Sequence, residues 1–154
     1  MIFMYTKKAT HYIAKTITDI LFYTSLICLV LEPFYADEIF SWILYPNPNY
    51  QTGFTLIVFL SGIGCSYILF NLKQMYKSLL VGNPFTEKNV GHFRKMAITC
   101  SIIALIYIVK SFVMFTIATL IIAIIFVVGC IFCLTLKDLF KQAINYKTEN
   151  ELTI

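Results

Sequence analysis

Side chains that could act as nucleophiles or metal ligands are few in this sequence, and their spacing forms no recognisable site. The two histidines, His11 and His92, are far apart, and the five cysteines all lie in apolar segments. Cys130 and Cys133 form a CxxC pair that lacks the second pair or nearby histidine of a zinc site. Paired carboxylates, a Ser-His-Asp set and a phosphate-binding loop are not visible either. We therefore expect structural cysteines, no metal or cofactor, and no enzymatic activity.

Two charged residues, Asp19 and Lys110, fall within or beside apolar segments. An ionisable group inside a membrane is costly and is a functional candidate by default. Asp19 follows Lys15 by four positions, which favours an ion pair on the surface of one helix near the membrane interface; a functional carboxylate is the alternative. Lys110 is the polar break in a long apolar block, and we expect it at the interface, where its amine reaches water.

The composition is that of a protein whose surface faces lipid. Of the 154 residues, 59% are hydrophobic and only 13% are charged, whereas about a quarter of the residues in a soluble domain are charged. The net charge of +4 comes from basic residues that flank the apolar segments. We attribute it to membrane topology and expect no direct nucleic-acid binding. The length predicts a single membrane domain over 1–154.

Four apolar segments are long enough to cross a hydrocarbon core of ~30 Å, which takes roughly 20 helical residues. The block 96–136 is too long for one crossing and divides near Lys110. We predict an all-α, integral membrane four-helix bundle with helices at about 13–31, 54–81, 87–109 and 115–146. The connections are an outer loop, 33–52, and a cytoplasmic loop, 82–86; a tail, 147–154, follows the last helix.

The distribution of lysine and arginine predicts the orientation. Eleven of the twelve lie at the N-terminus, around the central loop or near the C-terminus, and the outer loop 33–52 has none. Positive residues accumulate on the cytoplasmic side, so we expect a multi-pass protein of the cell membrane with both termini in the cytoplasm. The outer loop is rich in aromatic residues and proline, which fits either an aromatic belt in the headgroups or a docking surface for an outside partner.

Two cytoplasmic segments resemble each other. The segment 72–77, Leu-Lys-Gln-Met-Tyr-Lys, is similar to 136–141, Leu-Lys-Asp-Leu-Phe-Lys. Each continues a membrane helix as an amphipathic helix with a basic outer face. The pattern indicates two related helical hairpins, with helices 2 and 4 extended into the cytoplasm.

Small residues lie together on two of the helices and predict close helix packing, with room for a homo-oligomer. They are Ser61, Gly62, Cys65 and Ser66 on helix 2, and Gly129 and Cys133 on helix 4.

The central loop has the residues of a helix end followed by a helix start. Gly82 can end the preceding helix in a left-handed conformation, and Pro84 prevents its continuation. Thr86 is suited to cap the next helix, and Phe85 is placed to pack against Val90 as a hydrophobic staple.

The loop and the chain end together resemble a family of small bacterial four-helix membrane proteins, the domain of unknown function 2975. The residues that carry the resemblance are Gly82, Pro84, Phe85 and Asn89 in the loop, and Glu149, Glu151, Leu152, Thr153 and Ile154 at the end. Family members often have Asp where Glu151 stands. The resemblance implies no known activity, and many members are encoded beside a small helix-turn-helix regulator.

Two functions fit these features. The first is a non-enzymatic membrane protein that senses or relays a signal to a cytoplasmic partner, such as a DNA-binding regulator, through the loop motif and the chain end. The alternative is an immunity or transport-accessory protein that protects against a membrane-active peptide. A small carrier is a third hypothesis, and its polar candidates in the inner half of the membrane are few: Thr18, Asp19, Thr99 and Ser101.

Overall fold

Four long α-helices make up the computed structural model, which describes residues 2–43, 48–113 and 115–152, with side chains at 10–36, 38, 52–113 and 115–150. Helix α1 spans Ile2–Ile43 and α2 spans Pro48–Leu80. Helix α3 spans Glu87–Val113 and α4 spans Ile117–Leu152. Strands are absent from these residues, so the predicted all-α, four-helix fold is confirmed.

Each helix contains a segment long and apolar enough to cross a membrane. The segments are Thr10–Ala36, Thr52–Leu80, Glu87–Val113 and Ile117–Asn150, with mean hydropathy between 1.6 and 3.1. Large apolar side chains remain exposed along all four helices, for example Val30, Leu56, Leu105 and Ile125, which are each about 60% exposed. Such surfaces are costly in water and favourable in lipid.

The helices contact one another in chain order. Helix α3 packs most extensively against α4, α2 packs against both α1 and α3, and α1 contacts only α2 within the described part of the chain. The central contacts form two clusters: Met96 and Ala97 with Cys133, and Ile103 and Tyr107 with Ala123. Helix α2 adds side chains to both clusters, so α2, α3 and α4 share a core that α1 does not enter.

The small residues predicted to allow close packing do lie at helix contacts. Ser66 Oγ donates a hydrogen bond to Ser25 of α1 at 3.0 Å, and Ser61 Oγ lies 3.0 Å from the Tyr107 hydroxyl of α3. The closest approach occurs at a glycine that the sequence did not single out. A Cβ atom on Gly64 would lie 2.7 Å from Ile103 Cδ1.

One predicted connection is corrected by the structure. The prediction of an outer loop over 33–52 is wrong for 33–43 and 48–52, because α1 continues through Pro33 to Ile43 and α2 begins at Pro48. Residues 44–47 lie outside the described part of the chain. Proline removes one backbone hydrogen bond, but helices in membranes tolerate this loss. Most aromatic side chains of 33–52 lie outside the described residues. The choice between an aromatic belt and a docking surface therefore stays open.

The ends of α3 and α4 also lie beyond the predicted positions. Helix α3 ends at Val113 instead of 109, and α4 ends at Leu152 instead of 146. The predicted tail 147–154 is thus helical through 152, since 145–152 contains neither glycine nor proline to stop the helix. Helix α2 ends within one residue of its predicted end.

Candidate functional site

The central loop has the helix-end geometry that its sequence predicts. Gly82 has a φ of 87°, and its amide donates to the Leu79 carbonyl at 3.1 Å. This left-handed conformation suits glycine because it has no Cβ. At the other end of the loop the Thr86 carbonyl accepts the amides of Asn89 and Val90 at 2.9 and 3.2 Å, and Thr86 Oγ1 lies 3.4 Å from the Asn89 amide. The predicted cap is confirmed.

Asn89 fixes this loop to both of its helices. Its side chain is 2% exposed, and Nδ2 donates to the Pro84 carbonyl at 2.6 Å and to Ser78 Oγ of α2 at 2.7 Å. The Ser78 hydroxyl in turn lies 2.8 Å from the Met75 carbonyl, to which it donates. A buried polar side chain is stable only when its groups are bonded. Asn89 therefore has a structural role that explains its place in the motif.

Three phenylalanine rings connect the loop to α3 and α4. The Phe85 ring lies 5.2 Å from the ring of Phe140 in α4, which lies 5.0 Å from the ring of Phe93 in α3. These separations are typical of favourable aromatic pairs. Phe85 thus contacts α4, and the expected staple between Phe85 and Val90 stays a prediction. A groove of about 150 Å³ lies beside the rings and is lined in part by Pro84, Asn89 and Phe140.

The second motif is on the same side of the molecule, but the structure does not join it to the loop. Glu149 lies nine positions after Phe140, about 13 Å farther along α4. Residues 145–150 are all exposed. Glu151 and Leu152 belong to α4 by their backbone, and Thr153 and Ile154 lie outside the described residues.

Asp19 pairs with a different lysine from the one predicted. Its Oδ1 lies 3.1 Å from Lys73 Nζ of α2, whereas the sequence favoured Lys15 on its own helix. Lys73 also donates to the Tyr23 hydroxyl at 3.3 Å, and its Nζ is 4.5 Å from the centre of that ring. The two charges thus neutralise each other between α1 and α2, which lowers the cost of placing either one in a membrane span.

His92 lies in a buried contact between α2 and α3. Its side chain is 8% exposed, and Nδ1 lies 2.8 Å from Asn71 Oδ1. Asn71 Nδ2 donates to the Tyr67 carbonyl, so Oδ1 is the acceptor and His92 Nδ1 carries the hydrogen. Nε2 is buried with no partner among the described residues. Asn71 is itself 2% exposed. The two side chains therefore form a buried hydrogen bond that joins α2 and α3.

Lys110 is buried, in contrast to the expected position in contact with water. Its side chain is 8% exposed, Nζ donates to Thr119 Oγ1 of α4 at 2.9 Å, and Nζ lies 4.0 Å from the centre of the Phe54 ring of α2. Hydrogen bonding and a cation–π contact each stabilise an ammonium group. Lys110 therefore connects the three helices of the shared core at one end.

Glu32 is an acidic residue within the span Thr10–Ala36 and was not predicted as a site residue. Its Oε1 is buried, and in the described part of the chain it has no hydrogen-bond partner and the residue has no ion pair. It lines a groove of about 440 Å³ between α1 and α2. The sequence does contain a signal, since only twelve residues separate Asp19 from Glu32, and a helix needs roughly 20 to cross the core.

The cysteines are unpaired, and within the described ranges no three of the His, Cys, Asp and Glu side chains are placed to hold a metal ion. Cys133 is buried in the cluster with Met96 and Ala97, and Cys130 packs beside it. This packing agrees with a structural role for the CxxC pair.

Four long apolar helices with lipid-compatible surfaces define a multi-pass membrane protein. Over residues 16–154 the chain matches the family described as "Protein of unknown function (DUF2975)". Because the match covers most of its length, the chain belongs to this family, as the loop and chain-end motifs indicated. No curated protein and no solved structure matches it significantly.

Proposed function

We propose that the protein is a non-enzymatic sensor or relay in a bacterial cell membrane, and that its loop and the end of α4 bind a cytoplasmic regulator. The observation that carries this proposal is the contact of the loop motif with α4. Phe85 packs on Phe140, and the same helix then continues with six successive exposed residues, 145–150.

This arrangement supports a relay because a movement of α4 would act on the loop. Phe140 contacts rings on both the loop and α3, while Asn89 holds the loop to α2. A partner bound to the end of α4 would therefore respond to rearrangement of three membrane helices. Packed interfaces change between discrete arrangements instead of deforming continuously.

The orientation belongs to the same proposal. The positive-inside rule supports cytoplasmic termini, and the loop and the end of α4 then lie in the cytoplasm. Reporter fusions at residue 154 and after residue 83 test this: a cytoplasmic reporter should be active in both fusions. Activity of an exported reporter at either position would contradict the orientation.

The partner is tested by co-purification. The family resemblance suggests a helix-turn-helix regulator as the partner, and one encoded beside the gene would be co-expressed with the tagged membrane protein. We expect deletion of 149–154, or its replacement by six Gly and Ser residues, to remove the regulator from the purified sample.

Two controls make this result specific. Gln142→Ala, at an exposed position of α4, should leave the regulator bound, and membrane insertion should be equal for all variants. Retention of the regulator after both changes to 149–154 would refute the role of the chain end.

A further inference from the structure

The groove between α1 and α2 is a cavity in a protein–lipid boundary. Cys28, Leu29, Glu32 and Tyr35 contribute from α1, and Val58 and Gly62 contribute from α2. Its volume of about 440 Å³ lies in the range of small-molecule sites. Helix α1 has no neighbour other than α2 in the described part of the chain, so the groove can be entered from the hydrocarbon region.

The position of Gly62 gives the depth of Glu32 in the membrane. A Cβ on Gly62 would lie 3.9 Å from Glu32 Oε2, so the two residues are level. Gly62 lies eight positions after Phe54 and ten before Leu72, the ends of the apolar run of α2. These separations correspond to about 12 and 15 Å. The carboxyl group of Glu32 is therefore near the middle of the span, below the level of lipid headgroups.

A carboxyl group at this depth needs a proton or a cation, because an isolated carboxylate is very costly to bury. The other acidic residue in α1, Asp19, has its cation in Lys73. Glu32 has no ion pair among the described residues. The groove is otherwise lined by apolar surface with few polar atoms. Its lining includes Tyr35, whose aromatic ring is of a type that attracts cations.

We infer that this groove binds a freely diffusing amphipathic cation, an organic ammonium or phosphonium group on an apolar body, with Glu32 as its counter-ion. The apolar body occupies the cavity, and the cationic centre replaces the proton of the carboxyl group. That proton leaves to solvent, so each bound cation of permanent charge releases one proton. A lipid amine is the wrong occupant because its headgroup lies at the interface.

Glu32 carries the only carboxyl group among the residues that line the groove, so the exchange of proton for cation takes place there. The other titratable residues of the groove are Cys28 and Tyr35 on α1 and Cys65 on α2. None is a basic residue, and none is a second carboxylate. Helices α3 and α4 do not contact α1 in the described residues. The site is independent of the proposed relay, which depends on the loop after α2 and on the C-terminal end of α4.

The test is titration calorimetry of the purified full chain in uncharged detergent with tetraphenylphosphonium as the probe. We expect saturable binding, with release of one proton measured from the heats in two buffers of different ionisation enthalpy. Glu32→Gln should weaken binding by roughly ten-fold or more, since one charge-assisted contact is lost. Asp138→Asn, at an exposed carboxylate of α4 far from the groove, should bind like the unaltered protein.

A second variant separates the cavity from the charge. Gly62→Ala keeps Glu32 and adds one methyl group to the floor of the groove, where a Cβ has only ordinary contacts of 3.6–3.9 Å. It should melt near the temperature of the unaltered protein and yet weaken probe binding several-fold. Absence of saturable binding by the folded protein would overturn the inference. Equal binding by the unaltered protein and Glu32→Gln would do the same and would indicate an acyl chain or detergent as the occupant.

Discussion

The contact between Gly64 and Ile103 gives a direct test of how α2 and α3 approach each other. In Gly64→Ala the new methyl group would lie 2.7 Å from Ile103 Cδ1, 3.1 Å from Cγ1 and 3.3 Å from Thr99 Cγ2. Carbon atoms are in favourable contact at about 3.5–4.0 Å. Ile103 is 2% exposed and is surrounded by residues of all three core helices, so it has little room to move.

The expected magnitude follows from two opposing effects. Overpacking a well-filled core costs about 1–3 kcal/mol, whereas alanine is favoured over glycine in a helix by about 1 kcal/mol. Gly64→Ala should therefore lose up to about 2 kcal/mol of stability. Gly62→Ala, whose nearest contact would be 3.6 Å, is the matched control and should not lose stability.

The assay is reversible unfolding in mixed detergent micelles, followed by far-ultraviolet circular dichroism. Ile103→Val removes the Cδ1 atom and should cost about 0.5–1.5 kcal/mol alone, but it should restore stability in the Gly64→Ala background. A double-mutant cycle without a favourable coupling of roughly 1 kcal/mol or more would refute this account of the contact. Equal stability of Gly64→Ala and Gly62→Ala would refute it as well.

Three further predictions concern polar groups at the contacts between helices. Asn89→Ala should destabilise the protein by about 1–3 kcal/mol, because the partners of its amide are left unbonded; faster proteolysis between 81 and 86 is the measurement, and unchanged proteolysis contradicts it. Lys110→Met should not lower the melting temperature, since an apolar side chain of similar size often replaces a buried charge without loss. A marked loss would show that the Thr119 and aromatic contacts outweigh the burial cost. Asp19→Asn and Lys73→Met should each lower the melting temperature, whereas the double variant should recover, because neither charge is then left unpaired. A double variant less stable than both single variants would exclude the ion pair as the cause.

The local features of the loop were predictable because they depend on residues that are close in sequence. Glycine at 82 and threonine at 86 gave the helix end and the helix cap without knowledge of the fold. The contact of Phe85 was not predictable from its neighbours. A staple to Val90 would use the next helix turn, whereas the observed ring contact is with Phe140, which is 55 positions away.

The helix ends show the same limit. Pro33 is an ordinary stop signal in water, yet α1 continues through it to Ile43. Whether a missing hydrogen bond ends a helix depends on the solvent and neighbours of that helix, because a nonhelical backbone is far more costly in lipid than one lost bond.

The sequence by itself determined that this chain forms four apolar helices of membrane-spanning length, because composition and segment length alone decide how a helix partitions into lipid. The tertiary structure decided which charges are paired. Asp19 pairs with Lys73 on another helix, Lys110 is buried, and Glu32 has no ion pair among the described residues. Pairing depends on which helix faces meet and at what level, and residues that are dozens of positions apart in the chain set both.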